Sequence, residues 1–237
     1  MIRVETPRPH VALVTLDKPA RRNALDLPGF RALSRAWRDV AADGARVAVV
    51  TGVRDFSSGA DLKTFPDDVA AALRGGELPE HLWGDIHGAI LRDRVLPFPV
   101  VAAIEGICFG AGFELVGATD IRIAGDTAQF STPEVGRGFM ASGGTVARLP
   151  RQIGYAAAMQ VLLTGARFGA ERMREWGYVS EVVPAGTALD RALDIAELIA
   201  AHPPAAVRAI KRAVGEGVRG TLAEAYAIET RAADELL

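Results

Sequence analysis

The chain has 237 residues, a formal charge of -2 at pH 7 and a hydrophobic fraction of 49%. This balance excludes a disordered chain and a strongly basic nucleic-acid-binding protein, and it supplies enough apolar side chains for one main domain. Cys108 is the only cysteine, which excludes an internal disulfide and a cysteine-based zinc site. With no leader pattern and no long apolar run in view, the composition predicts a cytoplasmic protein that does not enter a membrane.

Strand-like and helical patterns alternate along the chain. Apolar runs bounded by turn residues predict strands at the N-terminus and over residues 10–16, 46–52, 99–106, 120–124 and 179–183. Helical spacing predicts helices over residues 27–42, 156–163, 188–201, 205–214 and 222–236. Residues 63–96 are less regular and are expected to form a mobile lid before a short helix. The alternation favours an α/β architecture in which helices cover the sheets.

Two glutamates occupy segments that do not favour a charged side chain. Glu114 has apolar and small neighbours in a predicted helix, and Glu134 follows a proline between an apolar run and a glycine. The ordinary alternative for each is a solvated or first-turn residue, because the first turn of a helix favours carboxylates. Buried carboxylates cluster at functional sites, however, so two that meet across a pocket would form an acid–base pair.

Two glycine-containing segments are candidates for holding negative charge with the backbone. Residues 57–63 turn around Gly59 after a predicted strand, and residues 110–112 open the helix that contains Glu114. Free N–H groups at such turns and helix starts favour developing negative charge, and two of them would form an oxyanion hole. Each segment is also compatible with an ordinary glycine turn, since short glycine motifs are weak signals.

The combination of these segments is more specific than any one of them. The chain resembles the crotonase, or enoyl-CoA hydratase/isomerase, family over about residues 10 to 235, with the matching motifs at 59–63, 99–115, 120–124, 130–136, 143–144, 163–165 and 179–184. The resemblance implies a crotonase-like spiral of ββα units in residues 1–185. It also implies a C-terminal helical region in residues 186–237 that is involved in oligomerisation, with homotrimers stacked into homohexamers.

The same resemblance implies where a coenzyme A thioester binds. The backbone N–H groups of Ala60 and Ala111 would hold the thioester oxygen as an oxyanion hole. The residues expected to contact coenzyme A are Ala60, Asp61, Leu62, Lys63 and Arg22, with Arg21 as a further phosphate candidate. No metal or separate cofactor is expected, because coenzyme A is part of the substrate. The expected partners are the acyl-CoA and further copies of the chain, with no nucleic acid or membrane.

For the reaction, the resemblance implies an enoyl-CoA hydratase of fatty acid metabolism, which converts a trans-2-enoyl-CoA to a 3-hydroxyacyl-CoA. Glu114 would activate water for attack at C3, and Glu134 would exchange the proton at C2. Isomerase members usually act through the Glu134 position alone, so Glu114 favours hydration. The alternatives are an isomerase, another reaction through a CoA-thioester enolate such as decarboxylation or hydrolysis, and a catalytically silent acyl-CoA-binding relative.

Some features depart from the family pattern. Ala111 stands where glycine is common, residues 138–144 lack a common proline, and Arg137 adds a cation after Glu134. The sequence ends at Leu237, about where many relatives continue into a last helix over the acyl site, so either the sequence is short or the pocket is more open.

The remaining reactive side chains are expected to have ordinary roles. Cys108 is predicted to be a small buried core thiol. The histidines have no metal-ligand spacing; His81 beside Trp83 is a lid candidate, although an exposed loop position is the simpler expectation.

Overall fold

The computed structural model describes residues 1 to 237, with nine strands and ten α-helices. The strands are β1 (Ile2–Arg8), β2 (Val11–Leu16), β3 (Val47–Gly52), β4 (Val100–Ile104), β5 (Ile107–Phe109), β6 (Ile121–Gly125), β7 (Gln129–Ser131), β8 (Phe168–Gly169) and β9 (Glu181–Val183). The helices are α1 (Leu27–Ala42), α2 (Phe65–Arg74), α3 (Pro79–Ala89), α4 (Ala111–Val116), α5 (Thr145–Ile153), α6 (Tyr155–Thr164), α7 (Ala170–Glu175), α8 (Ala188–Ala200), α9 (Pro204–Gly217) and α10 (Leu222–Asp234). Short 3-10 helices span Pro19–Arg21 and Pro133–Arg137.

The main sheet has six strands in the order β1-β2-β3-β4-β6-β9. Only β1 and β2 are antiparallel, and the remaining neighbours run parallel. Because successive side chains of a strand point to opposite faces, each inner strand contributes to two apolar layers. Val14 and Val50 belong to the larger core, on the side of α1 and α3, whereas Val49 and Val101 pack in a second core with Ala192 of α8. These continuous apolar strands are therefore buried on both faces, as their sequences predict.

A second sheet brings two distant loops together. It has three short strands in the order β5-β7-β8, with β5 parallel to β7. Residues after β3 run beside β5: the Ser57 N–H donates to the Ile107 carbonyl at 3.0 Å, and the Phe109 N–H donates to the Ser57 carbonyl at 2.9 Å. This pairing fixes the turn at Gly59 against the start of α4.

The sequence predicts the α/β class and most long elements correctly. Helix α1 has the predicted bounds, and the Asp26 carboxylate caps it by accepting from the Gly29 N–H at 2.9 Å. Residues 63–96 differ from the prediction, because they contain two helices, α2 and α3, instead of one. Gly75 and Gly76 interrupt the helical pattern and end α2, while Pro79 starts α3. The lid role of this segment stays a prediction.

The C-terminal helices differ in how much of their apolar surface they bury. Helix α8 covers one face of the main sheet, while α9 and α10 pack against each other and keep several large apolar side chains exposed. These exposed side chains are Ile210, Val214, Val218, Leu222 and Tyr226. None of the ten helices has both the length and the apolar character required to cross a membrane.

Candidate active site

A cleft of about 590 Å³ lies between α2 and α3 on one side and the starts of α4 and the second 3-10 helix on the other. Its apolar wall is formed by side chains that include Phe30, Phe65, Val69, Trp83, Ile86 and Ile90. Its charged and titratable lining consists of Arg21, Asp61, Lys63, His87, Glu114, Glu134 and Arg137. The cleft thus brings together both predicted glutamates and both glycine-containing segments.

Glu114 is held inside this cleft by the backbone of a distant loop. It lies on α4, is 6% exposed, and its Oε1 accepts a hydrogen bond from the Gly143 N–H at 2.5 Å. A Cβ on Gly143 would stand 2.7 Å from the Glu114 Cδ and would overlap the end of the Ile90 side chain, so any larger residue would force the Glu114 carboxylate or Ile90 to move. Burial raises the pKa of Glu114 to about 7, and the Glu134 charge adds to the shift, although the Gly143 N–H opposes it.

Glu134 faces the same cleft from the 3-10 helix that begins at Pro133. It is 7% exposed, and its Oε2 is buried without a hydrogen-bond partner. Its Oε1 lies close to Gly110, where a Cβ would stand 3.2 Å from it. Burial raises the pKa of Glu134, while its own backbone N–H and the neighbouring Arg137 charge act in the opposite direction. A buried carboxyl with a free oxygen is able to exchange a proton with a ligand in the cleft.

Two backbone N–H groups beside the glutamates donate to no other protein atom. They belong to Ala60 and Ala111, whereas the adjacent Asp61 N–H donates to the Leu25 carbonyl at 2.8 Å. The two segments are in direct backbone contact, because a Cβ on Gly59 would lie 3.1 Å from the Ala111 nitrogen. Gly59 has φ +92, a conformation that other residues rarely adopt. The predicted pair of donors is therefore free, adjacent and inside the cleft.

The predicted coenzyme A contacts divide into residues on the cleft and one outside it. Leu62 and Lys63 line the cleft and are exposed, while Asp61 is buried and accepts from Arg21 Nη2 at 2.7 Å. Arg21 lines the cleft as well. Arg22 does not line it; there the backbone is left-handed with φ 49, and its carbonyl accepts from the Ser58 N–H at 2.9 Å. Of the two arginines, the geometry favours Arg21 for a ligand contact.

Two features of the cleft are missing from the sequence predictions. Gly143 stood out only as part of a glycine pair, and its role as the partner of Glu114 depends on a contact across 29 positions. The histidine that lines the cleft is His87, which stacks on Trp83 with ring centroids 5.8 Å apart, whereas His81 is exposed. The four-residue spacing of Trp83 and His87 on one helix face was the available signal. Cys108 is buried, as predicted.

The fold and the cleft together define an α/β protein with two buried carboxyl groups and two free N–H groups facing one pocket. The chain belongs to the enoyl-CoA hydratase/isomerase family, whose sequence profile matches residues 7–236. This membership confirms the predicted resemblance.

Individual relatives agree with this assignment. The chain is 37% identical over 229 residues to enoyl-CoA hydratase EchA19 of Mycobacterium tuberculosis, covering 94% of this chain and 84% of the relative. It is 35% identical over 206 residues to 2,3-dehydroadipyl-CoA hydratase of Escherichia coli K12, covering 86% of this chain and 78% of the relative. The crystal structure of enoyl-CoA hydratase from Bacillus anthracis superposes with a TM-score of 0.87 at 33% identity, covering 98% of this chain and 89% of the other. The predicted crotonase-type fold class is confirmed.

Proposed function

We propose that this protein is an enoyl-CoA hydratase that adds water to a trans-2-enoyl-CoA thioester and forms a 3-hydroxyacyl-CoA. The observation that carries the proposal is the convergence of Glu114, Glu134 and the free N–H groups of Ala60 and Ala111 on one cleft. Two similar proteins, EchA19 and 2,3-dehydroadipyl-CoA hydratase, bear the names of CoA-thioester hydratases, which supports this reaction class.

The proposed addition uses each of these groups once. The thioester oxygen accepts hydrogen bonds from the Ala60 and Ala111 N–H groups, which draw electron density from the C2–C3 double bond. Glu114 removes a proton from water as the water oxygen bonds to C3, and the π electrons pass to the enolate oxygen. When the enolate collapses, C2 takes a proton from Glu134. Each turnover places one proton on Glu114 and removes one from Glu134, so the pair is restored when a proton passes from Glu114 to Glu134, directly or through solvent, and water is the only co-reactant.

These reaction steps require that Glu114 and Glu134 together hold one proton. Addition begins with one carboxylate that accepts a proton and one carboxyl group that donates one. Burial raises the pKa of both Glu114 and Glu134, and the charge of Glu134 raises that of Glu114 further. Loss of the second proton is therefore opposed toward neutral pH; because the pKa of Glu114 is raised to about 7, the shared proton favours Glu114, and addition proceeds from the form in which that proton has passed to Glu134. A thioester that displaces water from the cleft would raise the pKa of both carboxyl groups further.

The coenzyme A portion is proposed to lie along the segment from Ala60 to Lys63. The adenine would contact the backbone at Asp61 and Leu62, and Lys63 would meet a phosphate. Arg21 is a better placed second cation than Arg22, because it lines the cleft. No separate cofactor is proposed, because hydration needs no redox or group-transfer partner.

We also propose that the protein acts in the cytoplasm as a homotrimer or a pair of stacked trimers. In this proposal residues 1–185 form the catalytic core, and residues 186–237 form the helical region that contributes to assembly. The exposed apolar side chains of α9 and α10, among them Ile210 and Val214, support burial in such an interface. Light scattering after size exclusion should give three or six times the chain mass of 25.1 kDa. A monomer would contradict the assembly.

The test of the activity is hydration of a short trans-2-enoyl-CoA, followed by loss of the conjugated thioester absorbance. Glu134→Gln should abolish turnover while CoA-ester binding persists. Glu171→Gln is the matched control, because Glu171 is exposed and pairs with Arg174 on α7. Equal turnover in wild type and Glu134→Gln would rule out the proposed acid. Binding without turnover in wild type would favour a different enolate reaction or a silent binding protein.

A further inference from the structure

Arg148 forms a clamp between the end of α3 and the loop that holds Glu114. Its Nη2 donates to the Leu91 carbonyl at 2.7 Å and to the Arg92 carbonyl at 3.1 Å, and its Nη1 lies 3.5 Å from the Gly143 carbonyl. Three carbonyl oxygens from two segments thus surround one guanidinium. Arg148 does not line the catalytic cleft but a separate cavity of about 570 Å³. It therefore acts on the site without touching a ligand there.

Both segments that Arg148 joins have backbone conformations that need support. Leu91 is buried and has φ 55, a left-handed conformation that costs an ordinary residue about 1 kcal/mol or more. Gly144 has φ +109, and a Cβ there would stand only 2.5 Å from the Arg148 Nη1. The guanidinium occupies the space that the missing side chain leaves, so the Gly143–Gly144 turn and Arg148 fit each other.

The turn that Arg148 supports presents the N–H group that orients Glu114. The Gly143 N–H donates to Glu114 Oε1, and the carbonyl of the same residue faces Arg148. The Gly143 carbonyl belongs to the peptide group that follows the Gly143 N–H, so its contact with Arg148 fixes the position of the turn and with it the direction of that N–H. The positive charge of Arg148 also acts directly on Glu114 and favours its carboxylate form.

The charged and titratable groups around this pair are few. Glu114 experiences Glu134 across the cleft and Arg148 from α5, together with the N–H groups of Gly143 and Thr145. The groups that act on Arg148 itself are Glu114, Asp93, Tyr178 and Arg122. Burial raises the pKa of Glu114, and Arg148 is the cation whose charge opposes that rise. Removal of Arg148 should therefore raise the pKa of Glu114 further.

We infer that Arg148 is a positioning residue for Glu114: it fixes the Gly143 turn that orients the carboxylate and supplies the positive charge behind it. The inference deepens the proposed hydration and rests on it for the meaning of Glu114 as the group that activates water. It also links the ligand-facing helix α3 to the catalytic carboxylate, because the same guanidinium binds the carbonyls directly after that helix.

The test compares Arg148→Met, which removes both the positive charge and the planar guanidinium that binds several carbonyls, with Arg148→Lys. The lysine keeps a positive charge but loses the guanidinium geometry. Arg151→Met is the matched control, because Arg151 lies on the same helix, is exposed and donates only to the Ala147 carbonyl. Carbon-13 NMR of labelled glutamates gives the titration of Glu114, assigned by the resonance that Glu114→Gln removes. The pH profiles of kcat and KM for a short trans-2-enoyl-CoA give the catalytic consequence.

In Arg148→Met the titration midpoint of Glu114 should rise by about one pH unit, as expected on loss of a nearby opposite charge. The acid limb of the kcat profile should move to higher pH with it, and kcat at pH 7 should fall roughly fivefold with little change in KM. Arg148→Lys should shift the midpoint less and still lower kcat, and Arg151→Met should match wild type.

An unchanged Glu114 midpoint in folded Arg148→Met would overturn the inference and leave Arg148 a stabilising residue only. If Arg148→Met fails to fold, Arg148→Lys decides, and wild-type kcat and midpoint in that variant would overturn the inference. Failure of the proposed function is distinguishable, because it appears as absent turnover in wild type, while the NMR titration still reports whether Arg148 controls Glu114.

Discussion

Gly59 gives the sharpest perturbation of the proposed oxyanion hole. In Gly59→Ala the new Cβ would stand 2.9 Å from the Phe109 carbonyl oxygen, 3.1 Å from the Ala111 nitrogen and 3.3 Å from the Gly110 Cα. All three are backbone atoms, which cannot turn away as the end of a flexible side chain can. The two segments must therefore separate by a few tenths of an ångström or more, and the Ala60 and Ala111 N–H groups must lose their relative position.

Two costs add in this variant. A residue with a Cβ at φ +92 costs about 1–2 kcal/mol, and crowding of a packed site costs about 1–3 kcal/mol more. The catalytic cost is that of a misplaced oxyanion donor, roughly 100-fold to 1000-fold in kcat. Gly44→Ala separates the backbone cost from the crowding and catalytic costs, because Gly44 has φ +74 and no atom lies within 4 Å of its added Cβ. It should lose stability through its backbone alone and retain full activity.

The assay combines urea denaturation with the kcat of enoyl-CoA hydration for both variants. We expect a larger loss of unfolding free energy in Gly59→Ala than in Gly44→Ala, and a loss of kcat only in Gly59→Ala. A folded Gly59→Ala protein with wild-type kcat would refute the reasoning, because the contact between the two segments would then not set the oxyanion site.

Further substitutions test the other parts of the cleft. Ala111→Pro should remove one donor N–H and lower kcat sharply, and full activity would place the oxyanion site elsewhere. Gly143→Ala should displace the Glu114 carboxylate and lower kcat by roughly 100-fold, and adding Ile90→Ala should restore stability more than activity, as read by Tm and kcat. Glu114→Gln should suppress hydration more than any isomerisation, and equal loss of both in the two assays would count against separate roles. The same variant should also be more stable than wild type at pH 8, as measured by urea unfolding.

The sign of that stability effect follows from the raised pKa of Glu114. Unfolded glutamate ionises near its ordinary value of 4.5, whereas folded Glu114 has a pKa of about 7. Between these pH values the folded state binds more protons than the unfolded state. The stabilisation of the folded state by the protonated Glu114 carboxyl is therefore complete below pH 4.5 and is lost as pH rises through 7. The shift of about 2.5 units corresponds to at most about 3 kcal/mol. If wild type and Glu114→Gln kept the same difference from pH 4.5 to pH 8, the raised pKa would be contradicted.

The sequence was informative where a local pattern is enough to decide the structure. Helix α1 could be predicted to the residue, because its apolar spacing, its Asp26 cap and Pro28 all agree. Glu114 stood out because a carboxylate among apolar residues in a helix has few places to be solvated. An apolar segment around a carboxylate thus predicts that the carboxylate is buried. Burial raises the pKa of the carboxyl group toward neutral pH, where it can exchange protons.

The rest depends on contacts between distant segments. Strands β5, β7 and β8 have only two or three residues each, too few for a periodic pattern, and are defined by pairing with each other. The Gly143 partner of Glu114 and the Arg148 clamp cross 29 and 57 positions, respectively. No local signal marks them. Arg22 was predicted to contact coenzyme A by its place in a motif, but the left-handed backbone there leaves Arg21 on the cleft.

The division of labour between the two glutamates is tested most directly by exchange of the C2 protons of a saturated acyl-CoA with D2O, followed by proton NMR. Exchange needs a base at C2 and the oxyanion hole but no water attack at C3. We expect C2 proton exchange by wild type and by Glu114→Gln, and loss of exchange in Glu134→Gln. Exchange that survives in Glu134→Gln and disappears in Glu114→Gln would contradict the assignment of the two carboxyl groups.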